Sequence, residues 1–367
     1  MKKKKNILIF SSEFPPGPGG IGNHAFNLAK GLSKSQFNVK VLTPFRSRYS
    51  NNVTTFEKQK GFETIYYRKR SNKFITLFYI YKLLIKLTRE FNPLIISSGT
   101  VPLIFVGFLS SSKKIAIIHG HETRLGNFLI RYLVSINLKR YNKLIAVSKF
   151  SKSRVTDFHP SLSVDIINNG ADFSRLKLIK EYKKVDSFRP DLITVGTLSL
   201  RKGQHNVINV LPEIKKSYPN VLYHMVGQPN IKNELIALAR KNNVEENIKF
   251  YNYLDDNELN ELMCKCDIFI MLSENLRNGD VEGFGIAIIE GNYIGLPSVG
   301  SKGCGIEDAI KDDFSGILVE NTNYQDIVSA IDKISNNYLF FSKESKKWAE
   351  EFHWEIIIKK YLNVIYE

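Results

Sequence analysis

The sequence predicts an α/β protein built from two successive doubly wound, parallel-sheet domains. Three observations carry this. Apolar runs of four to six residues recur along the chain, the length of strands buried on both faces and too short for core helices. Polar or glycine-containing loops and helical patterns follow them, as βαβ crossovers require. The pattern then restarts halfway along: Leu192 to Val195 repeats the strand–loop–helix opening of Asn6 to Phe10. A chain of 367 residues, 43% hydrophobic and 24% charged, has material for two globular cores of ordinary size.

In the first half, Asn6 to Phe10 is a buried strand. A loop with Pro15, Pro16, Gly17, Gly19, Gly20 and Gly22 follows, then a helix with Ala25, Leu28, Ala29 and Leu32 on one face, then a strand from Val39 to Leu42. Residues 72–91 read as a core helix whose aromatic bodies and Lys73, Lys82, Lys86 and Arg89 also suit a membrane interface. Leu94 to Ser97, Lys113 to Ile118, Lys143 to Val147 and Val164 to Ile167 are further strands. His119-Gly120-His121-Glu122 leaves the second of these four strands, Lys113 to Ile118, at the carboxyl end where open α/β sheets bind ligands. His119 is therefore placed to touch a substrate, or to cap the strand. Residues 174–190 are charged and irregular, the best candidate for a linker.

In the second half, strands are expected at Leu192 to Val195, Val221 to Val226, Ile248 to Tyr251, Ile268 to Leu272, Pro297 to Gly300 and Gly316 to Val319. Residues 338–367 read as terminal helices that return to the first half.

The charge is lopsided. Residues 1–185 hold 33 Lys+Arg against 9 Asp+Glu, whereas residues 186–367 hold 19 against 27. A half that basic suits an anionic partner: a phosphorylated substrate, an anionic membrane surface or nucleic acid. No nucleic-acid-binding module is recognisable, and no nucleic-acid partner is expected. The lysines after Met1 precede too short an apolar run for a signal peptide, and no segment is long and apolar enough to span a membrane, so a cytoplasmic protein is expected. Cys264, Cys266 and Cys304 form no metal-ligand set and read as thiols in a reducing compartment.

The densest stretch is Asp280-Val281-Glu282-Gly283-Phe284-Gly285-Ile286-Ala287-Ile288-Ile289-Glu290-Gly291. Gly283 and Gly285 permit a tight turn and close approach to a ligand, and Ile286 to Ile289 opens a buried helix. The amides of Phe284, Gly285 and Ile286 would then form an anion site at a helix N-terminus. Glu282 stands before that helix, and Glu290 is read about two turns inside it. Arg201 and Lys202, just beyond the first strand of the same half, would supply the cations of a diphosphate clamp. Stabilising a departing diphosphate is what transfer from a nucleotide-sugar demands.

Taken together, these segments resemble glycosyltransferase family 4 (glycosyl transferases group 1), retaining enzymes of GT-B architecture. Glu282-x7-Glu290 inside Glu-Gly-Phe-Gly-Ile carries most of the resemblance. Gly196-x-Leu-x-x-Arg201-Lys202-Gly203, Asn169-Gly170-Ala171-Asp172, Gly19-Gly20 and Phe352-His353-Trp354-Glu355 support it. It implies two Rossmann-like domains facing a central cleft: residues 1–180 for the acceptor, 181–345 for the nucleotide-sugar donor, and 346–367 packing back on the first.

The resemblance also implies roles. Arg201 and Lys202 hold the donor diphosphate, Glu290 the ribose hydroxyls and Glu282 the transferred sugar. Gly196 and the Gly283-Phe284-Gly285-Ile286 backbone, with Gly19 and Gly20, complete the donor site, and His119 contacts the sugar. The expected enzyme is a metal-independent, retaining hexosyltransferase with no cofactor beyond its nucleotide-sugar co-substrate. It would act on a glycan or lipid-linked acceptor in surface-polysaccharide biosynthesis, as a cytoplasmic protein peripheral on the inner face of the membrane. The alternatives are an NAD(P)-dependent oxidoreductase using Gly17, Gly19 and Gly22, with Arg46 for a 2′-phosphate, and a sugar-nucleotide epimerase of related fold.

Overall fold

The computed structural model describes residues 4–17, 19–45, 61–110, 113–122, 128–176 and 190–367. Arg46 and most of the expected linker, residues 177–189, lie outside them. The chain divides into two compact units, Met1–Gly170 with Trp354–Glu367, and Ala171–His353.

The first unit is one parallel sheet of seven strands. They are β1 (Asn6–Ser11), β2 (Asn38–Pro44), β3 (Glu63–Tyr67), β4 (Leu94–Ser98), β5 (Lys114–Ile118), β6 (Lys143–Ala146) and β7 (Val164–Ile166). Their spatial order is β3-β2-β1-β4-β5-β6-β7. Ile9 on β1 aligns with Val41 on β2 and with Ile96 on β4, which seats the apolar runs side by side. The sheet is covered by α1 (Gly20–Lys34), α2 (Lys73–Phe91), α3 (Thr100–Gly107), α4 (Phe128–Leu138) and α5 (Lys149–Thr156). Asn72 caps α2 by accepting from the Phe74 and Ile75 amides, and Asn92 ends it in the left-handed conformation. Strand β3 and helices α3 and α4 are additions to the elements expected from sequence.

The second unit has six parallel strands: β8 (Asp191–Val195), β9 (Leu222–Val226), β10 (Ile248–Tyr251), β11 (Ile268–Met271), β12 (Ser298–Ser301) and β13 (Gly316–Val319). Their order is β10-β9-β8-β11-β12-β13. The crossovers are α6 (Gln204–Ser217), α7 (Lys232–Lys241), α8 (Asp256–Lys265) and α9 (Ile286–Ile294), followed by α10 (Tyr324–Asn336) and α11 (Tyr338–Glu350). Asp255 and Glu258 form a reciprocal capping box on α8. The core lies where Ile268 and Ile270 of β11 meet Val207 and Leu211 of α6 and Ile327 and Ile331 of α10, all fully buried. In both sheets the strand order reverses beside the first strand of the unit, between β1 and β4 and between β8 and β11. Such switch points are where open α/β sheets bind ligands.

The chain then returns to the first unit as α12 (Trp354–Tyr366). Tyr361 of this helix is fully buried, and its hydroxyl meets Nε2 of His24 on α1 at 3.0 Å. The return falls at Trp354, whereas residue 346 is expected from sequence, because α11 stays with the second unit: Ser342 Oγ donates to Gly295 O at 2.7 Å and Trp348 Nε1 to Ala309 O at 3.0 Å. The division between the units falls after Gly170, whereas 180 is expected.

Candidate active site

In the second unit the loops after β8 and β11, adjacent strands at the switch point, carry the candidate residues. The loop after β8 leaves through Gly196 and forms a single 3₁₀ turn, Leu200–Lys202, that presents Arg201 and Lys202. Gly203 ends the turn at φ 73°, and a Cβ there would lie 1.7 Å from the carbonyl oxygen of Leu272. Only glycine lets the two loops touch this closely. Glu274 N donates to Arg201 O at 3.1 Å and locks the same junction.

The loop after β11 delivers Asp280 and Glu282. The Gly305 amide donates to Glu282 O at 3.0 Å, so the residue before Gly283 is held from a neighbouring loop. Gly285 is the N-cap of α9 at φ 90°, with no side chain capping the first turn, so the amides beyond Glu282 are not closed off by a cap. Phe284 turns its ring inward against Phe352, centroids 5.6 Å apart, leaving its backbone at the turn. Glu290 is the fifth residue of α9, little more than one turn in, whereas about two turns are expected from sequence; at 3.6 residues per turn a helix starting at Ile286 has made only one by then.

The charges converge. Lys202 Nζ lies 2.8 Å from Glu282 Oε2, Arg201 Nη1 donates to the same oxygen, and Arg201 Nε is 3.2 Å from Asp280 Oδ1. Burial alone would raise the Glu282 carboxyl; Lys202 and Arg201 outweigh it and bring it down to about 2. Two cations thus share one carboxylate beside an uncapped helix N-terminus, an arrangement into which a further anion fits. Glu290 behaves oppositely: burial raises its carboxyl, and Arg175 only partly offsets this. Arg175 donates Nη2 to Glu290 Oε1 and Nη1 to Asp256 Oδ1, the latter at 3.0 Å. Arg175 was not singled out from sequence, where it is one cation in a charged stretch.

In the first unit, His119 stands at the end of β5, only 7% exposed, with Nε2 2.8 Å from Ser98 Oγ at the end of β4. The His24 ring packs edge-on at 5.4 Å. Burial lowers both imidazoles to about 3, so both are neutral at pH 7. The His119 and Gly120 amides donate to the buried Glu122 carboxylate, at 3.1 and 2.9 Å. Burial pushes that carboxyl up, but His121, His119 and the backbone amides of Glu122 and His119 hold it below its ordinary range.

The glycine loop after β1 does not form a dinucleotide turn. Eight residues separate Ser11 from the start of α1 at Gly20, and the space a Gly19 Cβ would occupy is filled by the Glu13 carboxylate, 2.0 Å away. A Cβ on Gly22 would lie 3.0 Å from the Phe14 amide nitrogen, whereas among the described residues nothing lies within 4 Å of one on Gly20. Among the described residues no group of three or more His, Cys, Asp or Glu could hold a metal, and no helix is long and apolar enough to cross a membrane.

Two parallel-sheet Rossmann-like units, the second with a basic pair and a glutamate at a helix N-terminus, define the GT-B class. Residues 18–175 match the family described as Glycosyltransferase Family 4, and residues 174–352 match Glycosyl transferases group 1. The chain belongs to glycosyltransferase family 4. It is 25% identical over 248 residues to a GDP-mannose-dependent alpha-(1-6)-phosphatidylinositol monomannoside mannosyltransferase of Mycolicibacterium smegmatis, covering 64% of each chain. The match thus spans about two thirds of that relative. It is 22% identical to a glycogen synthase of Mycobacterium tuberculosis, covering 96% of this chain and 92% of the other. Among solved structures, Anabaena Alr3699/HepE in complex with UDP and glucose superposes with a TM-score of 0.77 at 18% identity, covering 98% and 99% of the two chains. A sucrose-phosphate synthase from Thermosynechococcus elongatus does so with 0.78 at 15%, covering 99% and 98%. The family match does not favour the oxidoreductase and epimerase alternatives.

Proposed function

We propose that this chain is a retaining, hexosyltransferase-type glycosyltransferase. It moves a sugar from a nucleoside-diphosphate-sugar to a hydroxyl of a glycan or lipid-linked acceptor in cell-surface polysaccharide biosynthesis. The observation that carries the reading is the convergence of Arg201 and Lys202 on Glu282 beside the uncapped start of α9. The names of relatives support the donor class: one uses GDP-mannose, and Alr3699/HepE binds UDP and UDP-glucose.

In this reading the donor binds to the second unit and the acceptor to the first. Arg201 and Lys202 take the diphosphate and stabilise the negative charge that develops on it as the glycosidic bond breaks, a role that needs no metal ion. The amides of Phe284, Gly285 and Ile286 share that charge. Gly196 gives the phosphates backbone access, Glu290 accepts from the ribose hydroxyls, and Glu282 turns from the cations to the hydroxyls of the transferred sugar. Gly19, Gly20 and His119, the last neutral, are the first unit's proposed contributions to substrate binding. The acceptor hydroxyl attacks from the face the diphosphate leaves, giving its proton to the departing phosphate oxygen, so the anomeric configuration is kept.

The protein acts on the cytoplasmic side, peripheral on the inner membrane face. The outward face of α2 supports this: Phe74 is 81% and Phe78 60% exposed, and Lys82 Nζ lies 4.7 Å over the Phe78 ring. The test is proton NMR of the product formed from a panel of nucleotide-sugars, with and without EDTA. Transfer with retained configuration in EDTA is expected; an inverted product, or dependence on a divalent ion, overturns the mechanism. Flotation with phosphatidylglycerol vesicles tests the membrane face, and no binding at low salt contradicts it.

A further inference from the structure

We propose that a groove between α4 and α5 of the first unit seats the alkyl chain of an anionic lipid, with the lipid phosphate paired to Arg131. A cavity of about 210 Å³ opens there, and its floor is the fully buried side chains of Val134 and Val155. Its walls are aromatic and open to solvent: Phe128 is 71%, Tyr132 53% and Phe158 52% exposed. Rings left this bare beside an apolar hollow mark a binding surface. Phe128 and Tyr132 stack nearly parallel, interplanar angle 18°, and the Arg131 guanidinium lies 5.6 Å over the Phe128 ring. The rim cation is therefore held against the aromatic wall.

Charge selects the occupant. Among the described residues, the side chains lining the groove include Arg131 and Arg154 and no carboxylate. Arg154 is 4% exposed, with its Nε donating to Gly120 O at 3.1 Å, so its guanidinium is held in place at the inner end and Arg131 is the cation at the rim. The remaining polar lining closes on itself, His159 Nε2 lying 2.6 Å from Ser135 Oγ, and leaves the floor apolar. An apolar hollow with a cationic, acid-free lining matches a chain with an anionic head, and mismatches a neutral sugar or a cationic peptide.

The proposal rests on the membrane reading above only in its choice of a lipid. The test is calorimetric titration of the full chain with dodecyl phosphate below its micellar concentration, with dodecyl maltoside and inorganic phosphate alongside. Saturable binding of dodecyl phosphate is expected, about tenfold or more tighter than either comparison probe. Arg131→Gln, at a half-buried position, should weaken it about tenfold, and Phe158→Ser likewise; an unchanged melting temperature reports the fold. Equal binding of dodecyl phosphate and inorganic phosphate, or of dodecyl phosphate to wild type and both variants, overturns the groove. Vesicle flotation without dodecyl phosphate binding strikes the groove alone; dodecyl phosphate binding without flotation strikes the membrane face alone.

Discussion

Replacing Glu282 by glutamine keeps its shape and removes the charge shared by Arg201 and Lys202. The side chain is 12% exposed, so solvent screens it little. Holding its carboxyl at about 2 corresponds to about 3 kcal/mol of folding free energy at neutral pH. Glu282→Gln should therefore lower the melting temperature of the second unit by about 6–12 °C, taking about 2–4 °C per kcal/mol for a domain of this size. The pH dependence follows. The unfolded carboxyl binds its proton near 4.5 and the folded one near 2, so wild type loses this contribution as pH falls through that window, and the variant has none to lose. A nucleoside diphosphate, which supplies the missing negative charge, should raise the variant's melting temperature more than the wild type's. The assay is differential scanning fluorimetry from pH 7 to pH 3, with and without ligand. A variant that melts with wild type at pH 7 and follows the same acid limb refutes the claim that this carboxylate balances the two cations.

Glu290→Gln should do the reverse. Burial raises the folded carboxyl above its unfolded value, so the ionised group lowers stability as pH rises through that window; the variant should melt at or above wild type at pH 7 yet bind a nucleoside diphosphate about ten- to a hundredfold more weakly by calorimetry. Gly203→Ala places a Cβ on the Leu272 carbonyl at φ 73° and should reduce the urea midpoint by the equivalent of at least about 2 kcal/mol. His24 and His119 are buried and neutral, with folded values near 3, so stability of the first unit should fall with pH from about 6.5 downward. His119→Asn should reduce that slope by up to about 1.4 kcal/mol per pH unit, read from urea unfolding between pH 4 and pH 6.

Sequence revealed the fold because strands such as Ile7-Leu8-Ile9-Phe10 and Ile268-Phe269-Ile270-Met271 are buried on both faces and so uniformly apolar. The edge strand β3 was hidden for the opposite reason: Thr64, Ile65 and Tyr66 are half-buried and mixed in character. Helix α3 has Pro102 in its first turn, and α4 is apolar on its exposed side, so neither shows an amphipathic stripe. Arg201, Lys202 and Glu282 could be read together because glycines mark both loops. The Arg175–Glu290 pair could not, since it joins residues 115 apart and nothing near Arg175 announces a ligand. The buried Tyr361–His24 contact is equally remote in sequence, 337 residues apart.

The central claim is that the loops after β8 and β11 hold a nucleoside diphosphate. Isothermal titration of UDP, GDP, ADP and NADPH into wild type and Glu290→Ala tests it most directly. The account predicts that one nucleoside diphosphate binds wild type saturably and that the variant loses most of that affinity. Binding of NADPH alone, equal in both proteins, would contradict it and move the site to the glycines after β1.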